Sequence, residues 1–295
     1  MTAPIEIRPV VNVEGCKNFQ ELERWVWGTD DLDVVPIHVL ITALKNGGGL
    51  LGAYAEDGPD ATGRMVGAAF WWLGAGMDPR APAADAGRGT GKLKACSHMV
   101  GVLPDWQGRH VGLRLKLAQR QAILEQGLTD WVTWTYDPLY RRNGVFNLHR
   151  LGATCSTYFR NVYGELNDDL NRGAPSDRCQ VDWWIDSEHV ARDLQPMRPQ
   201  PAWQAANLQL LPVRENGRGL VEPVDAPVAP DGRPLAVPIP PEIGVIRQAD
   251  PALGLAWRFA LRAALETGFG AGYTLVDCVH LEGQGWRYIL VRDFL

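Results

Sequence analysis

The sequence predicts a mixed α/β fold with a smaller C-terminal α+β unit, and three observations predict it. Strand and helix signals alternate from Ile5 to about Asp186. Eleven of the 21 prolines then fall between Pro196 and Pro241, which implies extended, irregular chain. Regular patterning returns at Asp250 as one helix and one hairpin. The expected organisation is a first domain over residues 1–186, a Pro-rich connection over 187–249 and a helix–hairpin unit over 250–295.

The elements follow in order. Ile5–Pro9 reads as a short strand. Asn18–Trp27 carries Phe19, Leu22, Trp25 and Val26 at helical spacing, and Ile37–Leu44 is a second short helix ended by Gly47–Gly49. Leu50–Ala55 and Met65–Leu73 form a hairpin around Glu56–Gly63. The Gly-, Ala-, Pro- and Asp-rich stretch Gly74–Gly91 reads as a loop. Leu93–Val102 is a third long strand. Gly112–Gln126 is a helix whose apolar stripe holds Val111, Leu115, Ala118, Ala122 and Leu124. Trp131–Tyr136 is a strand, and Gly144–Leu151 a short helix closed by Gly152. Thr154–Arg160 and Gln180–Ile185 are the last strands of this part. Asp250 caps a helix to about Thr267, with Gly268 as its end, and Tyr273–Leu281 with Trp286–Arg292 makes a hairpin around Gly283.

Composition bounds the function. Hydrophobic residues are 46% and charged residues 21% of 295, enough apolar material for a core. The net charge of −5 argues against a general nucleic-acid binder and leaves small anions as ligands of a local basic site. No run of about 18 apolar residues is present, so no membrane association is expected. Met1–Arg8 lacks a signal peptide's apolar stretch, and the five cysteines form no CxxC pair. Both point to a cytoplasmic protein with reduced thiols. The six histidines are scattered without ligand spacing, so no metal is expected.

The chemistry concentrates between Leu93 and Gly152. A strand ends at Val102, and the loop Leu103–Gly112 leads into a long helix. A glycine-containing turn at a helix N-terminus presents unpaired N–H groups and the positive end of the dipole, which suits a phosphate. Arg109, Arg114, Lys116 and Arg120 supply positive charge nearby. There is no G-x-x-x-x-G-K-[ST] and no early G-x-G-x-x-G, so a P-loop nucleotidase and a Rossmann dehydrogenase are set aside. The absence of G-x-S-x-G sets aside a serine hydrolase of the elbow type. For a general base the candidate is His98: strand alternation groups it with Val100 and Val102, and imidazole titrates in a useful range. The alternative is a histidine held in the core or paired with Ser97.

The segment Gln107-Gly108-Arg109-His110-Val111-Gly112 resembles the acyl-CoA motif [Q/R]-x-x-G-x-[G/A] of the GCN5-related N-acetyltransferase superfamily. Gln107 and Gly112 match, Gly108 stands where many members have a glycine, and His110 replaces the middle one. Val102-Leu103-Pro104 precedes the loop, and His149-Arg150-Leu151-Gly152-Ala153 resembles the superfamily's tyrosine–x–lysine–leucine–glycine–phenylalanine ending. The likeness covers roughly Ile5 to Asp186. A closer likeness, to a little-characterised branch with a C-terminal extension, rests on Trp134–Leu139, Arg142-Asn143-Gly144, Asn147-Leu148, Leu170–Gly173 and Ser176-Asp177-Arg178.

The resemblance implies a mixed, mostly antiparallel central sheet flanked by helices, with the fourth and fifth strands splayed around acetyl-CoA or another acyl-CoA. Met99, Val100, Gly101 and Val102 would hold the pantetheine and thioester. The amides of Gln107, Gly108, Arg109, His110, Val111 and Gly112 would hold the pyrophosphate. Asn143 and Asn147 would reach the pantetheine or thiol, or else cap a helix. The reaction implied is direct attack of an amine on the thioester, with acetyl or another short acyl group, succinyl included, passing to a small molecule such as an amino acid. The alternative is a protein that binds CoA or acyl-CoA with little turnover. Many relatives carry an acidic tyrosine four residues before the final helix's glycine. Here that position is Leu148, so Tyr136, Tyr140, His149 and Tyr158 stand as candidate acids. Arg172 and Arg178 are placed to clamp a carboxylate of acceptor or acyl group, or else belong to a loop held by an Asp177–Arg pair. The apolar C-terminal helix with Trp257, Phe259, Leu261 and Leu265 is either core or the surface of a homodimer.

Overall fold

The structure is a computed structural model that describes residues 4–28, 33–80, 91–164, 175–195, 203–224 and 227–294. Contacts divide the chain into two compact units, residues 1–134 and 135–295.

In the first unit, β1 (Ile5–Pro9), β2 (Gly49–Ala55), β3 (Met65–Met77) and β4 (Gly91–Val102) pair antiparallel in that order. β5 (Trp131–Tyr136) joins β4 in parallel. The turn between β2 and β3 is the expected hairpin, but β3 and β4 are longer than their patterns suggest and pair along their full length, to Met77 and Gly91. Residues 81–90 of the expected loop lie outside the described residues.

Three helices cover this sheet. α1 (Val13–Trp27) starts five residues before the expected Asn18 because Asn12 caps it, accepting from Gly15 N at 2.8 Å, and it ends at Gly28 with φ +63°. α2 is Ile37–Lys45, and α3 (Val111–Gln126) ends at Gly127 with φ +65°. α1 buries Cys16, Phe19 and Leu22, and α3 buries Val111, Leu115 and Ile123. β3 lies between them, which is why Met65, Val66, Ala68, Ala69, Phe70 and Trp71 are all buried and the strand reads as a continuous apolar run instead of an alternating one.

In the second unit the chain forms α4 (Arg141–Gly144), which continues as a π-helical turn over Val145–Arg150. There follow β6 (Thr154–Phe159), β7 (Arg178–Trp184), α5 (Glu188–Asp193), β8 (Gln209–Leu210), β9 (Val213–Glu215), β10 (Val221–Pro223) and β11 (Leu235–Pro238). The unit ends with α6 (Ile243–Ala249), α7 (Pro251–Gly270), β12 (Tyr273–Leu281) and β13 (Gly285–Arg292). Its sheet runs β7-β6-β12-β13-β11-β8, antiparallel except for β11 with β8. The C-terminal hairpin therefore shares a sheet with β6, through Leu275 opposite Cys155.

Asp250 caps α7 as expected, accepting from Leu253 N at 3.0 Å, but the helix passes Gly268 and reaches Gly270. Trp257, Leu261 and Leu265 are core, while Phe259 is exposed. α7 is pinned by two ion pairs. Arg258 donates two bonds to Asp137, at 2.9 and 2.6 Å, with both side chains buried. Arg262 does the same to Asp177, at 2.7 and 2.9 Å.

Taken together, the fold is mixed α/β, mostly antiparallel and flanked by helices. That is the mixed, mostly antiparallel sheet flanked by helices that the acetyltransferase resemblance implies.

Candidate acyl-CoA site

The ladder between β4 and β5 is short. It joins Ala95 to Val132 and Cys96 to Thr133 and goes no further, although β4 continues to Val102. A β-bulge marks the place where pairing is lost. On the other side of β4, Phe70 faces Met99 and Trp71 faces Ser97, so His98 is the extra residue. Bulges of this kind re-aim side chains and recur beside active sites.

The bulge corrects the expected alternation. Ser97 points to α3, where it meets Lys116 and Gln119. His98 points to the opposite face, its ring 4.6 Å from Trp72 and 6.1 Å from Phe70, which in turn lies 6.1 Å from Phe19 of α1. Gly101 faces the same side and lies under Trp27, so a Cβ there would come within 2.5 Å of the indole. Val102 is back on the α3 side, near Gly112. His98 thus shares no face with Val102, and it is not a core histidine: the residue is exposed at its edge. Desolvation by its aromatic neighbours lowers its pKa below the ordinary imidazole value, which keeps the ring neutral and able to accept a proton.

On the same face, α2 and β3 enclose a cavity of about 330 Å³ lined by His38, Val39, Thr42, Ala43, Asn46, Trp72 and Leu73. Trp72 is the shared wall between this cavity and His98.

Beyond β4 the loop closes on itself. Trp106 N donates to Leu103 O and Gln107 N to Pro104 O, and the Gln107 side chain donates to Val102 O at 3.2 Å, tying the loop to the strand end. Gly108 has φ +76°, and His110 has φ +59° and stands as the N-cap of α3. His110 therefore adopts the left-handed backbone that a glycine would take more easily in the motif. The first helical bond runs from Arg114 N to His110 O. Among the described residues the N–H groups of Val111, Gly112 and Leu113 have no acceptor. A Cβ at Gly108 would meet nothing within 4 Å, and one at Gly112 only Val102 Cγ2 at 3.9 Å, so neither glycine is required by internal packing there. Free amides over open backbone are what a pyrophosphate needs, and the loop fits an acyl-CoA in that respect. Arg109 lies over the Trp106 ring at 4.5 Å, within the loop.

Two of the four nearby cations have other duties. Arg114 donates to Ile5 O at 2.6 Å. Lys116 is buried, bonded to Ser97 Oγ at 3.0 Å and Gln119 Oε1 at 2.9 Å, with Nζ 3.5 Å from the Trp134 ring centroid. Burial pushes its pKa well below the ordinary lysine value. It cannot reach a ligand at the loop, because the helix turns this position to the sheet.

The remaining candidates lie in the second unit. Tyr136 is buried beside Tyr288, Cys155 and Cys179, and burial holds its pKa well above the ordinary value. Tyr140 accepts from Arg247 Nη1 at 3.3 Å. Tyr158 donates to Asp177 at 2.8 Å and is a structural group, its pKa raised by burial and by that carboxylate. His149 Nδ1 lies 2.9 Å from Asp277 Oδ1, whose second oxygen accepts from Trp203 Nε1 at 2.8 Å; sequence reasoning gave no sign of this triad. Asn143 is exposed and Asn147 buried on the π-helical segment. Leu148 is buried. Arg178 donates to Asp177 O and lies 3.7 Å from Asp137 and 5.4 Å from the Tyr163 ring, so its charge is already partnered. Arg172 lies outside the described residues. Among the described residues no group of three or more His, Cys, Asp and Glu side chains is arranged to hold a metal ion, and no helix is long and apolar enough to cross a membrane.

No family model and no curated protein matches the sequence. Among solved structures, the chain is similar to NAA60 of Arabidopsis thaliana in complex with acetyl-CoA, at 12% identity, TM-score 0.46, over 62% of this chain and 100% of that one. It is also similar to the ribosomal-protein-S18-alanine N-acetyltransferase of Escherichia coli, at 12% identity, TM-score 0.42, over 62% and 96% of the two chains. A third similar structure is an aminoglycoside acetyltransferase from an uncultured soil metagenomic sample in complex with sisomicin, at 18% identity, TM-score 0.31, over 42% and 73%.

Proposed function

We propose that the protein is an acyl-CoA-dependent N-acyltransferase. The observation that supports this reading best is the loop at the start of α3. Among the described residues it offers three amides with no acceptor and two glycines that internal packing does not require, beside a strand whose parallel partner is lost at Cys96. In this reading those amides take the pyrophosphate, and Met99–Val102 take the pantetheine and thioester. The donor is acetyl-CoA or another short acyl-CoA, succinyl-CoA included.

His98 then removes the proton from the attacking amine, its lowered pKa keeping it neutral near pH 7. The acceptor is a small primary amine such as an amino acid, with the cavity beside Trp72 available to its apolar part. The reaction suits the cytoplasm, where acyl-CoA is found with reduced thiols. Leu148 offers no proton to the leaving thiolate. That favours water in this role, or else the second reading, a CoA-binding protein with little turnover.

Calorimetry with acetyl-CoA, succinyl-CoA and free CoA tests this, with Gly112→Trp as control. A Cβ at Gly112 meets only Val102 Cγ2 at 3.9 Å, so a side chain can start there without a backbone clash, and the variant's melting temperature checks that it folds. Expected is binding of at least one CoA species by the native chain and none by the variant. No binding of any CoA species overturns the proposal. Binding without amine-dependent release of free thiol selects the second reading.

A further inference from the structure

The second unit carries a cavity that acyl transfer leaves unused. It measures about 280 Å³ and is lined by Arg141, Arg142, Val145, Phe146, Arg150 and Trp286. Five of these come from α4 and its π-helical turn. Leu151 N bonds to Phe146 O at 3.1 Å, an i to i+5 contact, and the extra residue in the turn brings both Val145 and Phe146 into line with Arg150. Local π-helix of this sort is frequent at functional sites.

Trp286 of β13 forms the remaining wall. Its ring lies 5.4 Å from His280 and 4.7 Å from the Arg141 guanidinium. Arg141 is held by Glu242 Oε1 at 2.5 Å and Pro241 O at 2.9 Å, so it braces the indole and its charge is neutralised. Arg142 and Arg150 differ from it. Both are exposed, and among the described residues neither has an acceptor or a carboxylate. In a chain of net charge −5, two uncompensated guanidiniums converge on one aromatic-walled cavity. Guanidinium forks match the geometry of phosphate and carboxylate, and they stack on flat rings.

We propose that this cavity binds a small ligand that joins an oxyanion, phosphate or carboxylate, to a planar ring. Arg142 and Arg150 grip the oxyanion, while Trp286, Phe146 and Val145 cover the ring. The volume lies near the lower end for small-molecule sites, which points to a ligand the size of an aryl phosphate or a mononucleotide.

The test is calorimetry of the full chain with phenyl phosphate, adenosine monophosphate, benzoate and inorganic phosphate. Expected is binding of a ring-bearing anion, weakened about tenfold or more in Arg142→Ala/Arg150→Ala, since hydrogen bonds to charged groups are the strong ones. The melting temperature of that variant should match the native one, because among the described residues neither arginine has a partner to lose. Preference for the phosphates or for benzoate assigns the oxyanion. Inorganic phosphate binding as tightly as phenyl phosphate overturns the ring contact. No binding of any probe at millimolar concentration, or equal binding by the double variant, overturns the proposal. The Gly112→Trp variant separates this site from the acyl-CoA loop: phenyl phosphate should still bind when acyl-CoA does not. Loss of both in that variant, with CoA displacing phenyl phosphate from the native chain, would assign the cavity to the CoA site and overturn an independent one.

Discussion

Replacing Lys116 by methionine should stabilise the protein, and the gain should depend on pH. Lys116 is 2% exposed, and it donates to the neutral side chains of Ser97 and Gln119. Desolvation lowers its pKa far below the ordinary value of about 10.4. The sign follows from proton binding. Below pH 10.4 the unfolded chain carries a proton on Nζ and the folded chain does not, so native stability falls as pH falls, down to the folded pKa. Across that interval each pH unit is worth about 1.4 kcal/mol. The methionine variant lacks this dependence, so its advantage should grow as pH falls from 10 toward the folded pKa. Ser97 and Gln119 keep bonds to each other at 3.2 Å, so no orphaned polar group opposes the gain. Urea unfolding of both proteins at intervals between pH 7 and 10 measures the difference. A constant difference across that range, or a variant less stable at pH 7, would refute the argument that Lys116 is buried as the neutral amine.

Three further outcomes are expected. His110→Gly should raise stability by about 1 kcal/mol in thermal unfolding by relieving the left-handed backbone at φ +59°, with acyl-CoA binding retained. Asp137→Asn should cost about 3–5 kcal/mol in denaturant unfolding, because it leaves Arg258 charged and buried without its carboxylate. For the transferase reading, the rate should rise with pH through a value below the ordinary imidazole range and then level off, and His98→Gln should lose that acidic limb together with most of the rate.

Local chemistry made much of this legible. The edges of β1, β5 and β12 match their sequence patterns to the residue, because each is a short β-rich run bounded by turn residues or a helix end. Asp250 and Gly152 announced the helix ends that they make. The turn that leads into α3 was legible in the glycines around the start of that helix. What escaped depends on distant partners. A bulge has no signature within its own strand, so the reversal at His98 was invisible. Lys116 read as a ligand cation because nothing near it in sequence reports that α3 turns it onto Ser97 and Trp134. Arg178 read as a clamp because Asp137 lies 41 positions earlier, and the partner of Asp177, Arg262, lies 85 positions later. α6 was hidden by the prolines before it and by the lack of a side-chain cap at Glu242.

The pairing of β6 with β12 bears on how the protein is made. Leu275 meets Cys155 across 120 positions of chain, so one edge of β6 waits unpaired while everything between is synthesised. Contacts of such separation form late, and their loop-closure cost slows the sheet that depends on them. The pairs β1–β2, β2–β3, β3–β4 and β4–β5 have no such dependence, since each closes within residues 1–134. The expected course is early closure of the first unit, with the second held as an open-edged intermediate until β12 arrives. That interval is when an open strand edge invites pairing with another chain. Expression at lower temperature should therefore favour soluble protein, and a chain cut just before Tyr273 should aggregate through the edge of β6.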